Sequence, residues 1–152
     1  MRIYVDSSAL IKRSIDEPES EAIESSLEGY AAADAVLISS TLAWIELGRG
    51  IRSRLDAEDP AAIVEWTDAA LSGIAEAPIT EQVASLARRI GPPVLRSLDA
   101  IHLATAVLLD VDLILAYDDR LLAAATELGF AVVSRAGAGP WSRAGALPKL
   151  GG

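Results

Sequence analysis

A chain of 152 residues, rich in Ala, Leu, Ile and Val and poor in aromatics, suits one domain with a core of its own and is not the composition of a disordered chain. The absence of cysteine excludes disulfide frameworks and thiolate metal sites, and a single histidine, His102, argues against His-rich zinc centres. A net charge of −9 excludes nucleic-acid binding through a general basic field, so a polyanionic substrate would need a local Arg/Lys patch or bound cations.

In chain order, Ile3-Tyr4-Val5 is a short β-prone run ending at Asp6-Ser7-Ser8, and Asp6 or Ser7 can cap a helix to about residue 15. A second helix follows the break at Asp16-Glu17-Pro18, with Pro18 suited to a first helical position, and runs to about Tyr30. Ile23 and Leu27 share its apolar face; its glutamates read as a solvated face. Ala35-Val36-Leu37-Ile38 is a continuous apolar run, as expected of a buried parallel strand. Ser40 or Thr41 then caps a helix with Trp44, Leu47, Gly48, Ile51 and Leu55 at helical spacing, and Glu46 lies off that stripe.

Pro60 opens a further helix to about residue 75, Ala77-Pro78-Ile79 is a weak strand, and Thr80 caps a helix through Ile90. Gly91-Pro92-Pro93 stops it. Ser97 opens a helix over 98–109 that is apolar almost all round, except for Asp99 and His102 on one face. A strand over 111–116 leads to Tyr117-Asp118-Asp119, a helix over 120–128 ends at Gly129, and the last strand is 130–133. Residues 136–152 are rich in Gly and Pro and read as a loose tail, giving a domain at 1–135 and a tail at 136–152 with Trp141 as a pinning residue. The longest apolar run, 100–109, falls short of the ~20 residues of a spanning helix, so a cytoplasmic protein with no membrane segment is expected.

Alternating strands and helices imply a parallel α/β sheet covered on both faces, with the carboxyl ends of its strands along one edge. Asp6 and Asp118 end strands, Glu46 lies early in the helix leaving the second strand, and Asp99 opens a buried helix. Four carboxylates in one pocket repel unless a cation joins them, and hard oxygen ligands without thiolates suit Mg2+ or Mn2+. Such ions lower the pKa of a bound water and stabilise charge on phosphoryl oxygens, which fits phosphodiester hydrolysis.

Each of these acids also has a plain alternative, because Asp is a good cap and turn residue. Asp119 competes with Asp118 for the ligand role, and Asp118, nearer the strand end, is the choice. Ser7 and Ser8 read as capping or phosphate- and water-contacting groups, with no nearby histidine to make either a nucleophile. A lone buried histidine such as His102 more often holds a structural hydrogen bond than acts as a base. Arg49, Arg52 and Arg96 are candidates for gripping phosphates or, equally, for surface ion pairs.

The stretches Tyr4-Val5-Asp6-Ser7-Ser8-Ala9-Leu10, Trp44-Ile45-Glu46-Leu47, Leu95-Arg96-Ser97-Leu98-Asp99-Ala100-Ile101-His102 and Tyr117-Asp118-Asp119-Arg120 together resemble PIN-domain proteins, and more narrowly VapC-type toxins of bacterial toxin–antitoxin pairs. The resemblance spans about residues 3–133. It implies a PIN-like three-layer αβα sandwich with a central parallel sheet of four to five strands. It also implies a Mg2+- or Mn2+-dependent endoribonuclease, restrained by a cognate antitoxin and present as a homodimer or toxin–antitoxin hetero-oligomer. Asp6, Glu46, Asp99 and Asp118 match the family's acidic positions, with Asp6, Asp99 and Asp118 as metal ligands and Ser7, Ser8 and Asp119 as auxiliaries. Ala116 departs from the pattern, standing where a Thr or Ser commonly occurs.

Two other readings compete. A phosphatase or phospho-acceptor domain would use Asp6 as nucleophile, but Ser8 stands where a second Asp is wanted. A PIN-like binding module that has lost activity and only engages a partner protein would draw its support from Ala116.

Overall fold

The first strand, β1 (Arg2–Val5), sends alternate side chains to opposite sides, and that period of two organises the whole core. In the computed structural model, which describes residues 1–14, 19–54 and 59–134, Ile3 and Val5 enter one apolar cluster and Tyr4 the other. The remaining elements follow in order: α1 (Ser7–Ser14), α2 (Ser20–Ala32), β2 (Val36–Ser40), α3 (Thr41–Arg54), α4 (Pro60–Ala70), β3 (Ala75–Ala77), α5 (Glu81–Ala87), α6 (Ser97–Leu108), β4 (Leu113–Leu115), α7 (Asp119–Glu127) and β5 (Ala131–Val133). All neighbouring strands pair in parallel, in the order β3-β2-β1-β4-β5.

One cluster joins Ile3 and Val5 to Leu10, Ile23, Leu27 and Leu47, so α1, α2 and α3 cover that face of the sheet. The other joins Tyr4 and Ile114 to Leu103, Leu121 and Ala125, so α6 and α7 cover the opposite face. The result is the expected three-layer αβα sandwich, with five strands. Because β1 is central, the chain leaves it toward β2 and later returns to its other side as β4. That reversal opens a crevice outside the carboxyl ends of β1 and β4, the usual ligand position in such sheets.

Several boundaries differ from the sequence expectation. Helix α4 ends at Ala70, short of residue 75, because the chain turns through Leu71 and Gly73, the latter at φ 80°. Strand β3 is Ala75–Ala77 and excludes Pro78 and Ile79, since Pro78 has no N–H to pair. Strand β4 is only Leu113–Leu115; Val111 and Asp112 precede it, and Asp112 instead binds the Arg2 backbone through its side chain at 2.7 Å. Gly91 has a positive φ of 73°, a backbone conformation that favours glycine in the turn before α6. Pro18, Leu55, Trp141 and the tail at 136–152 lie outside the described residues.

Candidate active site

The carboxyl end of β1 is built by local cap chemistry. The Asp6 carbonyl accepts the Ala9 and Leu10 amides, and Asp6 Oδ2 accepts the Ser8 amide at 3.0 Å and the Ser8 hydroxyl at 2.5 Å. Asp6 is therefore the cap of α1, as a short polar residue before a helix tends to be. The cap uses only Oδ2. Oδ1 faces His102, whose Nε2 is 3.5 Å away. The Asp6 amide donates to the Leu115 carbonyl at 2.9 Å, which seats this turn against the end of β4.

Asp118 repeats the pattern on β4. Its Oδ1 accepts the Arg120 and Leu121 amides at 2.9 and 3.1 Å, capping α7, and Oδ2 takes no part in that cap. Asp119 is the first residue of α7 and is exposed. The Asp118/Asp119 alternative thus resolves geometrically. Asp118 both caps the helix and faces the cleft; Asp119 does neither.

An open cleft of about 290 Å³ is lined by Asp6, Ser7, Ser8, Glu46, Asp99, Asp118 and Arg96, with Ile11, Ser97 and Leu98. All four acids singled out from the sequence therefore border one space. Arg96 lines it as well, at the N-cap of α6. Arg49 and Arg52 lie exposed on α3 and are not among the lining residues, so of the three arginines only Arg96 borders the cleft. Ala116 is fully buried in the apolar cluster under α6 and α7 and does not line the cleft either.

Asp99 is the unusual acid. Its Oδ2 is buried and has no hydrogen-bond partner. Burial, reinforced by the negative charges of Asp118 and Asp6, pushes its carboxyl above the ordinary value; His102 and Arg96 pull the other way and do not cancel it. A buried, unpaired carboxylate oxygen facing two further carboxylates is an energetic liability unless something positive joins it.

Glu46 is tied differently. Its Oε2 lies 2.8 Å from His102 Nε2. Burial would raise the Glu46 carboxyl, but hydrogen bonds from His102 and Ser7 outweigh it and hold the group below its ordinary range. His102 itself is buried. That disfavours its charged form, yet Glu46, Asp6 and Asp99 shift the balance and raise its pKa.

The donor set is made of hard carboxylate oxygens, and the orphaned Asp99 oxygen gives a divalent cation a reason to be there. Among the described residues, however, no three acidic or histidine side chains are gathered closely enough to hold a metal ion as they stand. One oxygen of Asp6 is held by Ser8, one of Asp118 by the α7 amides, and Glu46 Oε2 by His102. The residue types fit the group; closing on it would require these like-charged side chains to move together.

Sequence reasoning missed Tyr4 in this setting. Its hydroxyl reaches across to His102 Nδ1 at 2.6 Å and accepts the Ser40 amide at 3.2 Å. The available signal was a tyrosine at a strand position buried on both sides, whose hydroxyl must find a partner.

The PIN domain family profile matches residues 3–127. Ribonuclease VapC47 of Mycobacterium tuberculosis is 38% identical over 134 residues, covering 87% of this chain and 96% of that protein. The chain belongs to the PIN-domain ribonucleases of the VapC toxin family. Ribonuclease VapC46 of the same species is 39% identical over 134 residues, again covering 87% and 96% of the two chains. Among solved VapC-family structures, VapBC2 from Rickettsia felis bound to a promoter DNA fragment superposes with a TM-score of 0.66, at 11% identity over 88% of this chain and 98% of that one. M. tuberculosis VapC20, a Sarcin-Ricin loop cleaving toxin, superposes with a TM-score of 0.63, at 16% identity over 87% and 97%. These distant structures bear on the fold, the near relatives on the activity. Family membership as a ribonuclease sets aside the phosphatase and phospho-acceptor reading.

Among the described residues no helix is long and apolar enough to cross a membrane.

Proposed function

We propose that this VapC-family ribonuclease is a Mg2+- or Mn2+-dependent endoribonuclease that acts as the toxin of a toxin–antitoxin pair in the cytoplasm. Asp6, Asp99 and Asp118 would hold the cation. The observation that carries the reading is the buried, unpartnered Asp99 Oδ2 in a cleft it shares with Asp6 and Asp118. A bound divalent ion supplies charge stabilisation at the phosphoryl oxygens and a lowered pKa for an attacking water.

The chain's own groups do the rest. Glu46, kept ionised by His102 and Ser7, is an acceptor that orients a water in the cleft and takes its proton. Arg96, on the rim, offers a bidentate donor to an RNA phosphate. Ser8 keeps Asp6 in one rotamer through its hydroxyl, so one carboxylate oxygen is already committed and the other remains for the site. With a net charge of −9, the protein depends on that local arginine and on the cation to accept a polyanion.

A cognate antitoxin is the partner this reading requires; solved structures that superpose on this chain include VapBC proteins from R. felis and from nontypeable Haemophilus influenzae. A homodimer or toxin–antitoxin hetero-oligomer follows from the same reading; the division into a domain at 1–135 and a tail at 136–152 is proposed on composition alone. The reading as an inactive binding module draws only on Ala116, which is packed in the apolar core and is not among the residues lining the cleft; the ribonuclease relatives favour the active reading.

Purified protein free of partner, incubated with total RNA, should cleave it with Mg2+ and not with EDTA. Asp6→Ala should abolish cleavage and also remove the rise in melting temperature that Mg2+ gives the wild type. Undiminished cleavage by a cleanly purified Asp6→Ala protein would overturn the assignment.

A further inference from the structure

His102 is the only histidine in the chain, is almost fully buried, and does not line the cleft, yet it touches the site from behind. Its two ring nitrogens are each matched. Nε2 faces Glu46 Oε2 at 2.8 Å, and Asp6 Oδ1 is farther, at 3.5 Å. A carboxylate can only accept, so the Nε2 proton belongs to Glu46. Nδ1 meets the Tyr4 hydroxyl at 2.6 Å. A hydroxyl can donate to a free ring nitrogen or accept from a protonated one, so Tyr4 serves Nδ1 in either charge state.

Tyr4 is itself held. Its oxygen accepts the Ser40 amide at the end of β2, and its ring sits edge-on to the imidazole with centroids 5.9 Å apart. A single hydrogen-bonded line therefore runs from β2 through β1 and α6 to α3: Ser40 N–H, Tyr4 O–H, His102, Glu46. Every member but the last is buried. Such a line does more than satisfy a core histidine. It fixes where the Glu46 carboxylate can stand.

We propose that His102 is a positioning residue that holds Glu46 out of the ligand set, so that this carboxylate serves the attacking water and not the cation. The inference rests on the metal-dependent reading above. It follows from a competition for the same oxygens. Glu46 borders the same cleft as Asp6, Asp99 and Asp118, and a carboxylate without another tie is drawn to a bound divalent cation. His102 supplies the buried part of that tie, beside the hydrogen bond from Ser7, and is itself anchored at its far side by Tyr4.

Two substitutions separate this role from packing. His102→Leu fills the space and removes the donor; His102→Gln keeps an N–H donor without a ring or charge. With folding checked by circular dichroism, Mn2+ binding is measured by calorimetry and RNA cleavage by steady-state kinetics. In His102→Leu, Mn2+ should bind several-fold more tightly while kcat falls roughly tenfold or more with KM unchanged. His102→Gln should keep the wild-type Mn2+ affinity and recover part of kcat. Unchanged Mn2+ affinity in folded His102→Leu overturns the inference. So does an equal rise in both variants, which would mark a simple charge effect.

The unmutated protein gives a check that needs no variant. The single imidazole is identifiable by nitrogen NMR, and its Nε2 should carry the proton whenever the ring is neutral. A neutral ring protonated at Nδ1 overturns the inference. If the wild type binds no Mn2+, the metal-dependent reading fails and takes this inference with it; if the wild type binds and cleaves while His102→Leu behaves alike, only the inference falls.

Discussion

The Ser8 hydroxyl accepts the backbone amide of Tyr117 at 2.9 Å, a hydrogen bond spanning 109 positions that joins the end of β1 to the end of β4. The same oxygen donates to Asp6 Oδ2. One serine thus sets both the rotamer of Asp6 and the spacing between the turn that carries it and the turn that carries Asp118. Ser8→Ala should cost about 1–2 kcal/mol, the usual net worth of hydrogen bonds that include a charged partner near the surface. Urea unfolding measures that loss. Cleavage should fall by roughly tenfold, because a misplaced supporting contact is felt at the site. Wild-type kcat in a folded Ser8→Ala protein would show that Asp6 needs no such support.

Asp99 sets stability against function. Its buried oxygen has no partner, and its neighbours Asp118 and Asp6 are of like charge. Replacing it by Asn removes the charge and offers an N–H to the nearby carboxylates. In EDTA, Asp99→Asn should melt a few degrees above the wild type. In Mg2+ the order should reverse, since only the wild type gains binding energy, about 2.7 kcal/mol when the ion is at a hundred times its dissociation constant. Cleavage should drop by roughly a hundredfold or more. A variant less stable than wild type in EDTA would mean that Asp99 is already compensated without metal.

The Glu46–His102 pair gives a pH signature in the metal-free protein. Glu46 titrates below its ordinary value of 4.5 when folded, so its contribution is full above 4.5 and is lost as pH falls through the lowered value. His102 titrates above its ordinary 6.5 when folded, so its contribution is full below 6.5 and is lost as pH rises through the raised value. The pair therefore stabilises most between pH 4.5 and 6.5. Thermal melts of wild type and Glu46→Gln across pH in EDTA should differ most in that window. A difference that keeps growing on the alkaline side would contradict the assignment of the two shifts.

Arg96 should separate from Arg49 and Arg52. It alone of the three borders the cleft, and it sits where α6 presents Asp99. Arg96→Ala should raise KM for RNA with a smaller effect on kcat. The slope of log affinity against log salt should shrink by about 0.7, the share of one phosphate on a single strand. Arg49→Ala and Arg52→Ala should leave that slope alone. An equal effect from all three would point to a diffuse field in place of a rim contact.

Much of this protein was readable from local pattern. The apolar runs announced the strands, Thr80 and the Asp-Ser-Ser turn announced helix starts, and acids at strand ends announced the edge where a site would form. These are short-range properties: strand alternation, helical spacing and capping chemistry act within a few residues. The misplaced ends of α4 and β3 were local too, but there a proline and a glycine turn in sequence order competed for the same stretch.

What the chain pattern could not decide was how each oxygen is spent. Asp6 and Asp118 were each open to reading as cap or site residue, and the structure shows one oxygen of each in the cap with the other left over. The choice of Arg96 over Arg49 and Arg52, and the line from Ser40 through Tyr4 and His102 to Glu46, depend on which strands lie side by side. Strand order β3-β2-β1-β4-β5 brings β1 next to both β2 and β4, and that adjacency places groups together that lie 34 to 110 positions apart. No local spacing encodes it, because it is decided by burying both faces of one sheet at once.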